Sequence, residues 1–322
     1  MGLRRSDLGT EIRPGVVRPS STEAAVHAAL RGRRFRPGEF AVEGALLLTL
    51  LVALAVLVIL IADVASNGWT VLAHRPRGFL TSPNSTFSFN AGVGQGIAGS
   101  LALMVFVIAF AFPLGIGAAI YLEEYARDTR FTRFLSTNIR NLAGVPSIVY
   151  GLLGLAIFAD LLKGVTGGFS VISGGLTLAI LVLPIVIITS SEALRAVPDS
   201  IREAGFGVGA TRWQVIRSHV LPSAAPGIFT GTVLTLARAL GETAPLLLVG
   251  ALTGFFAAGA ASFTEKLQGP YTSLPTVIFG WSTQPNPDFR QLTAAAILVL
   301  LAVLLTINAV AIVLRNRYER RW

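Results

Sequence analysis

Two residues of the 322-residue chain combine reactive chemistry with an unfavourable position. Arg238 and Glu242 stand four residues apart in Ala237-Arg238-Ala239-Leu240-Gly241-Glu242-Thr243-Ala244-Pro245, and they alone interrupt an apolar region running from Ala225 to Phe263. A charge buried in a membrane helix costs at least about 2.5–3.5 kcal/mol on insertion scales, so such residues mark a pathway by default. The spacing puts both on one helical face, where they can pair. Gly241 and Pro245 weaken the helix locally and free backbone groups to line a polar cavity. Two readings fit: a structural ion pair joining helices, or an oxyanion gate. Guanidinium is a planar fork that stays charged at any working pH, and Glu242 would neutralise it while the site is empty. Thr243 joins them as a pathway candidate. So do Val145, Pro146 and Ser147 of the Gly144-Val145-Pro146-Ser147 break, although a helix kink at Pro146 without substrate contact explains that break as well.

The segment 193–225 holds a different kind of candidate. Pro198 stops the preceding helix, Ser200-Ile201-Arg202-Glu203 has the form of a capping box, and Gly209 offers a left-handed stop. Thr211-Arg212-Trp213-Gln214 is a second capping box, and Leu221-Pro222 is expected to close the unit. The expectation is two short helices joined at a glycine. A reorienting linker and a docking element for a partner both fit. A helix-turn-helix DNA reader has similar parts, but tethering at both ends to membrane spans prevents groove docking.

These residues need positioning by membrane helices. Hydrophobic residues make up 53% of the chain and charged residues 13%, about half the usual share of a soluble domain. Apolar runs of about 20 residues predict six spans, at 44–64, 97–121, 140–160, 171–192, 226–255 and 292–314. The first is too long and too late for a cleaved signal. Sorting Lys and Arg by side gives 20 against 5, which places both termini and the 193–225 loop in the cytoplasm. The net charge of +9 then reflects topology and contact with membrane lipid, not nucleic acid. Residues 1–38 read as a disordered basic cytoplasmic tail and 39–322 as one six-helix transmembrane domain. Gly115 to Ala119 suits close helix approach, and Trp69 and Trp281 suit the membrane interface.

Several chemistries are excluded. Lys163 and Lys266 are the two lysines and neither follows a glycine, so no Walker A loop exists and any ATP-driven motor is another polypeptide. There is no cysteine, and His27, His74 and His219 are scattered. No metal motif or nucleophile elbow is present, so neither a cofactor nor an enzyme active site is expected, a lipid-modifying enzyme included.

Glu203-Ala204-Gly205, then Gly209, then Leu221-Pro222 resembles the EAA motif of ATP-binding-cassette importer permeases, with matching spacing. Gly205 replaces an alanine, which would loosen the docking helix, and His219 replaces an isoleucine. The resemblance implies the all-α type I importer permease fold and a bacterial inner-membrane location. It also implies that Glu203, Ala204, Gly205, Gly209, Leu221 and Pro222 seat on an ATPase subunit, Glu203 capping its own helix as well. Arg238 to Pro245, Asn141 to Val149 and the closing residues are similar to the phosphate-specific Pst importer permeases, of PstA type. That likeness covers residues 40–322. It implies inorganic phosphate uptake, a PstC-type second permease, two PstB-type ATPase copies and an external PstS-type phosphate-binding protein. Related oxyanions such as phosphonate, sulfate or molybdate remain the alternative.

Overall fold

The computed structural model describes residues 37–251 and 262–318. All regular structure among them is helical: α1 Pro37–His74, α2 Pro76–Thr81, α3 Gly94–Tyr125, α4 Arg130–Ala143, α5 Ser147–Leu161, α6 Lys163–Thr166 and α7 Val171–Arg195. There follow α8 Asp199–Gly207, α9 Arg212–Gly241, α10 Ala244–Leu248, α11 Phe263–Gln268, α12 Leu274–Ser282 and α13 Asp288–Tyr318. Widened π-helical turns interrupt α3 at Val107–Ala111 and Tyr121–Tyr125 and α9 at Ile216–Val220, and form α5 from Leu155 to Leu161.

Helices α1, α3, α7, α9 and α13 are long and apolar enough to cross a membrane. The expected third span, 140–160, is not a straight helix. Its first residues belong to α4, which meets α5 at 99°, and the two count as one crossing only when taken together. The corner is Gly144-Val145-Pro146. Proline disfavours helical backbone in the residue before it and cannot donate a hydrogen bond, and Pro146 itself has ψ 136°. The Tyr150 hydroxyl braces the corner by donating to the Leu142 carbonyl at 2.9 Å. The expected 226–255 span likewise ends early, because α9 stops at Gly241. Helix α1 instead runs ten residues past its expected end. There Ser66, Asn67 and Thr70 donate to carbonyls of the preceding turn, which satisfies polar groups beyond the apolar run.

Contacts divide the chain into Met1–Ile59 and Leu60–Trp322. In the first, α1 exposes Leu46, Leu47, Leu48 and Leu50, which lie on different faces. A helix apolar all round belongs in lipid. The expected tail lies outside the described residues except for Pro37 and Gly38, which open α1.

In the second unit α7 is the central element, touching α3, α4, α5 and α9. Leu103 and Val107 of α3, Tyr150 of α5, Leu178 and Val182 of α7 and Leu240 of α9 share one buried cluster with Leu246 of α10. Small residues permit the approach: a Cβ on Gly115 would lie 2.6 Å from Val186. A second cluster joins Phe79, Val93, Leu274 and Phe289 around Trp281. Trp281 is therefore a core residue rather than an interface anchor, its indole N–H donating to Asn84 Oδ1 at 2.9 Å. Trp69 is exposed, as an interface residue should be. A third cluster packs Ala119, Leu194, Val215, Val220, Ala224 and Ile228 beneath α8.

Candidate functional site

Arg238 lies in the last turn of α9, with Nε 3.4 Å from Glu242 Oε1. Helix α9 ends between them. Glu242 has an extended backbone (φ −75°, ψ 120°) and caps the helix through its N–H, which donates to Ala239. The pair is asymmetric: the Arg238 side chain is 54% exposed and that of Glu242 17%. Thr243 precedes α10, its carbonyl accepting from Leu247 N–H at 3.1 Å while its hydroxyl makes no cap bond.

The α4–α5 corner lies in the same core. The α5 turns after Ser147 pack on α10, and a Cβ on Gly151 would sit 2.7 Å from Pro245 Cα, so only glycine permits this approach. Val145 packs against the cluster containing Leu240 and Leu246. Pro146 is exposed and Ser147 half-buried. The fold thus brings together the two chain breaks that carry the pathway candidates.

The 193–225 element differs from expectation in three respects and agrees with it in two. Helix α8 starts at Asp199 with Pro198 at its N-cap, and no side chain caps it. Ser200 falls two residues too far inside for a capping box, and Glu203 is left exposed. The Thr211 box is present, with Thr211 N–H donating to Gln214 Oε1 at 2.8 Å. Gly209 makes the left-handed turn at φ +81°. Leu221-Pro222 does not close the unit: α9 runs unbroken from Arg212 to Gly241. The carbonyl against which the Pro222 ring would press belongs to Ser218, inside the widened turn, where the helix has room for it. Gly205 does not loosen α8. It is buried, and Val215 Cγ2 occupies the place where a Cβ would lie at 2.7 Å, so glycine allows the two helices to touch. Ala204, Phe206, Val208 and Trp213 form an exposed apolar surface beside Glu203.

Sequence reasoning missed three arginines that clamp the end of α3. Arg195 binds Glu123 in bidentate fashion at 2.7 and 2.8 Å. Arg202 binds Glu124 at 2.7 Å and donates to the Val197 and Leu194 carbonyls at 2.8 and 3.0 Å. Arg212 stacks over Tyr125 at 5.3 Å. The hydrogen bond to Glu124 raises the Arg202 pKa above the ordinary arginine value, against burial. The adjacent carboxylates beside apolar 97–121 were a visible signal, but their partners lie more than 70 residues away.

Apolar helices around a broken, charge-bearing span, with the short helix α8 held against the start of α9 at one end, have the form of a membrane transport subunit. The chain belongs to the family of binding-protein-dependent transport system inner membrane components, whose profile matches residues 111–322. It is a membrane component of an ABC importer that works with ATPase and binding-protein partners, not an enzyme. It is 35% identical over 277 residues to the phosphate transport system permease protein PstA 1 of Mycobacterium tuberculosis (strain H37Rv), covering 84% of this chain and 85% of that one. It is 31% identical over 265 residues to the probable ABC transporter permease protein YqgI of Bacillus subtilis (strain 168), covering 80% and 88%. Among solved structures, a bacterial alginate ABC transporter superposes with TM-score 0.65 at 15% identity, over 88% of this chain and 96% of that one. The MetNI methionine ABC transporter superposes with TM-score 0.53 at 19% identity, over 71% and 96%. Both show the type I importer permease fold.

Proposed function

We propose that this chain is a PstA-type permease forming half of a channel that imports inorganic phosphate. The observation that carries the reading is the Arg238–Glu242 pair at the end of α9, 3.4 Å apart and more exposed on its cationic side. An arriving oxyanion competes with Glu242 for a guanidinium that is already desolvated in part, and displacing one carboxylate avoids creating a bare charge. Thr243, Val145, Pro146 and Ser147 line the same passage. The names of several relatives support phosphate as the cargo. The 20-to-5 distribution of Lys and Arg supports cytoplasmic termini and a cytoplasmic 193–225 element. On that side Glu203, Ala204, Gly205, Gly209 and the start of α9 through Leu221 and Pro222 form the seat for an ATPase. The full assembly has a PstC-type second permease, two PstB-type ATPase copies and a PstS-type binding protein. Residues 39–322 are the permease domain and 1–38 a basic tail.

The test is uptake of labelled phosphate by the assembled transporter in liposomes. Arg238→Ala should abolish uptake while the subunits still co-purify, and normal uptake in that variant would falsify the oxyanion role. Competition by unlabelled sulfate, molybdate or phosphonate as strong as by phosphate would assign a different cargo.

A further inference from the structure

Helix α4 stands almost perpendicular to α5 and has no buried residue, although it is strongly two-faced. One flank rests on α7, where Ser136 and Ile139 line a small cleft with Ile187 and Ser191. On the free flank Phe131 and Phe134 are 68% and 63% exposed. Arg133 lies on the arc away from the rings, Arg130 borders Phe134 one turn before it, Arg140 edges the cleft against α7, and Arg127 precedes the helix. Asp128 is the acidic residue of this stretch, and it pairs with Arg133 at 3.1 Å in a fully wetted contact. Four arginines against one aspartate leave the segment cationic.

Helix α5 is the more apolar half of the bent pair, and a helix at 99° to one that enters the membrane runs along its surface. Apolar rings on one side and arginines on the other are what an interfacial helix needs to sit at the headgroup boundary. We infer that α4 is a lipid-reading helix, with Phe131 and Phe134 inserted at the acyl boundary and Arg127, Arg130 and Arg133 on the phosphates of anionic lipid. Two observations select lipid over a second protein subunit as the occupant. Ile148, Leu152 and Leu153 just after the corner are exposed apolar residues of α5, as lipid contact requires, and the charge of α4 complements anionic headgroups. The inference rests on the chain being a membrane protein and not on the cargo, so it survives a different substrate. The Tyr150–Leu142 brace links this helix to the corner bearing Val145 and Pro146.

The chain has no cysteine, so Phe131→Cys, Phe134→Cys and Thr137→Cys introduce single labels. The assembled transporter, with partner cysteines removed, goes into nanodiscs of phosphatidylcholine with phosphatidylglycerol. Spin labels at 131 and 134 should respond to oxygen and not to a water-soluble nickel chelate, and the label at 137 should do the reverse. Labels at 131 and 134 that respond to the chelate, or are shielded from both reagents as under a protein partner, overturn the inference. A fluorophore at 137 should also be quenched by headgroup-labelled phosphatidylglycerol at lower mole fraction than by equally labelled phosphatidylcholine. In Arg130→Gln/Arg133→Gln that preference should fall about fivefold per arginine. An unchanged preference overturns the headgroup assignment.

Discussion

Replacing Arg202 with alanine should uncouple α8 from the two helices it is fastened to. Its side chain is 18% exposed and that of Glu124 7%, so the pair is largely out of water. Among the described residues Glu124 accepts hydrogen bonds from Arg202 alone. Removing one partner of a buried pair leaves an uncompensated charge, at about 3–5 kcal/mol. The Leu194 and Val197 carbonyls also lose their donor, a smaller effect because water can reach the end of α7. Arg202→Lys should recover part of the loss, since a point charge can meet Glu124 but not all three acceptors at once. Glu124→Ala/Arg202→Ala should be less damaged than the two single changes added together, with a coupling of about 2 kcal/mol or more. Asp128→Ala serves as the control, because its pair with Arg133 is exposed on both sides and contributes little. The assay is thermal melting of the purified transporter together with the ratio of phosphate moved to ATP hydrolysed. Wild-type melting and coupling in Arg202→Ala, or strictly additive effects in the cycle, would refute the argument.

Two further outcomes follow from the same end of the molecule. Gly209→Val should strain the turn between α8 and α9 by about 1–2 kcal/mol or somewhat more, because φ is +81° and no atom lies near the added Cβ to explain a steric effect instead. Faster amide exchange across 199–215 is the readout, and unchanged exchange contradicts the strain. The Arg202 contribution should not vary with pH in the working range. A guanidinium with a raised folded pKa contributes in full below its ordinary value, and the contribution disappears only as pH rises through the raised one. The melting deficit of Arg202→Ala should therefore stay constant from about pH 6 to 9, and a deficit that changes several-fold within that range contradicts it.

Features that depend on neighbours in sequence were legible without coordinates. The Arg238–Glu242 pair follows from a spacing of four, the Thr211 box from Thr and Gln three apart, and the Gly209 turn from glycine after a short helix. The errors arose where a distant group or a two-residue shift decided. Ser200-x-x-Glu203 satisfies the capping pattern, but Pro198 and Asp199 start the helix earlier and Arg202 is drawn away to Glu124. Leu221-Pro222 looked like a stop because a proline normally demands one, and the widened turn before it is invisible in residue types. Hydropathy merged 140–143 with α5 because it averages apolar content and is blind to direction; Pro146 was visible, but the 99° angle was not. Gly205 was read as a weakness because the Val215 methyl that occupies its missing side chain lies in another helix.

The unbroken course of α9 gives the proposed mechanism its mechanical basis. Arg212, stacked on Tyr125 at one end, and Arg238 near the other lie 26 residues apart on one helix, about 39 Å at 1.5 Å per residue. A displacement of the docking end therefore reaches Arg238 directly, softened only at the widened turn Ile216–Val220 and at Pro226. Glu242 is outside that helix. It leads through Thr243 into α10, and Pro245 of α10 is wedged against Gly151 of α5. The pair thus spans the end of the lever: Arg238 lies inside α9, and Glu242 is both its C-cap and the start of the link to α10. In the proposed mechanism a tilt of α9 against α10 bends the link at Glu242 and Thr243 and so alters the 3.4 Å separation of the pair. On that proposal, anion binding and the partner ATPase's motion would act on the same gap.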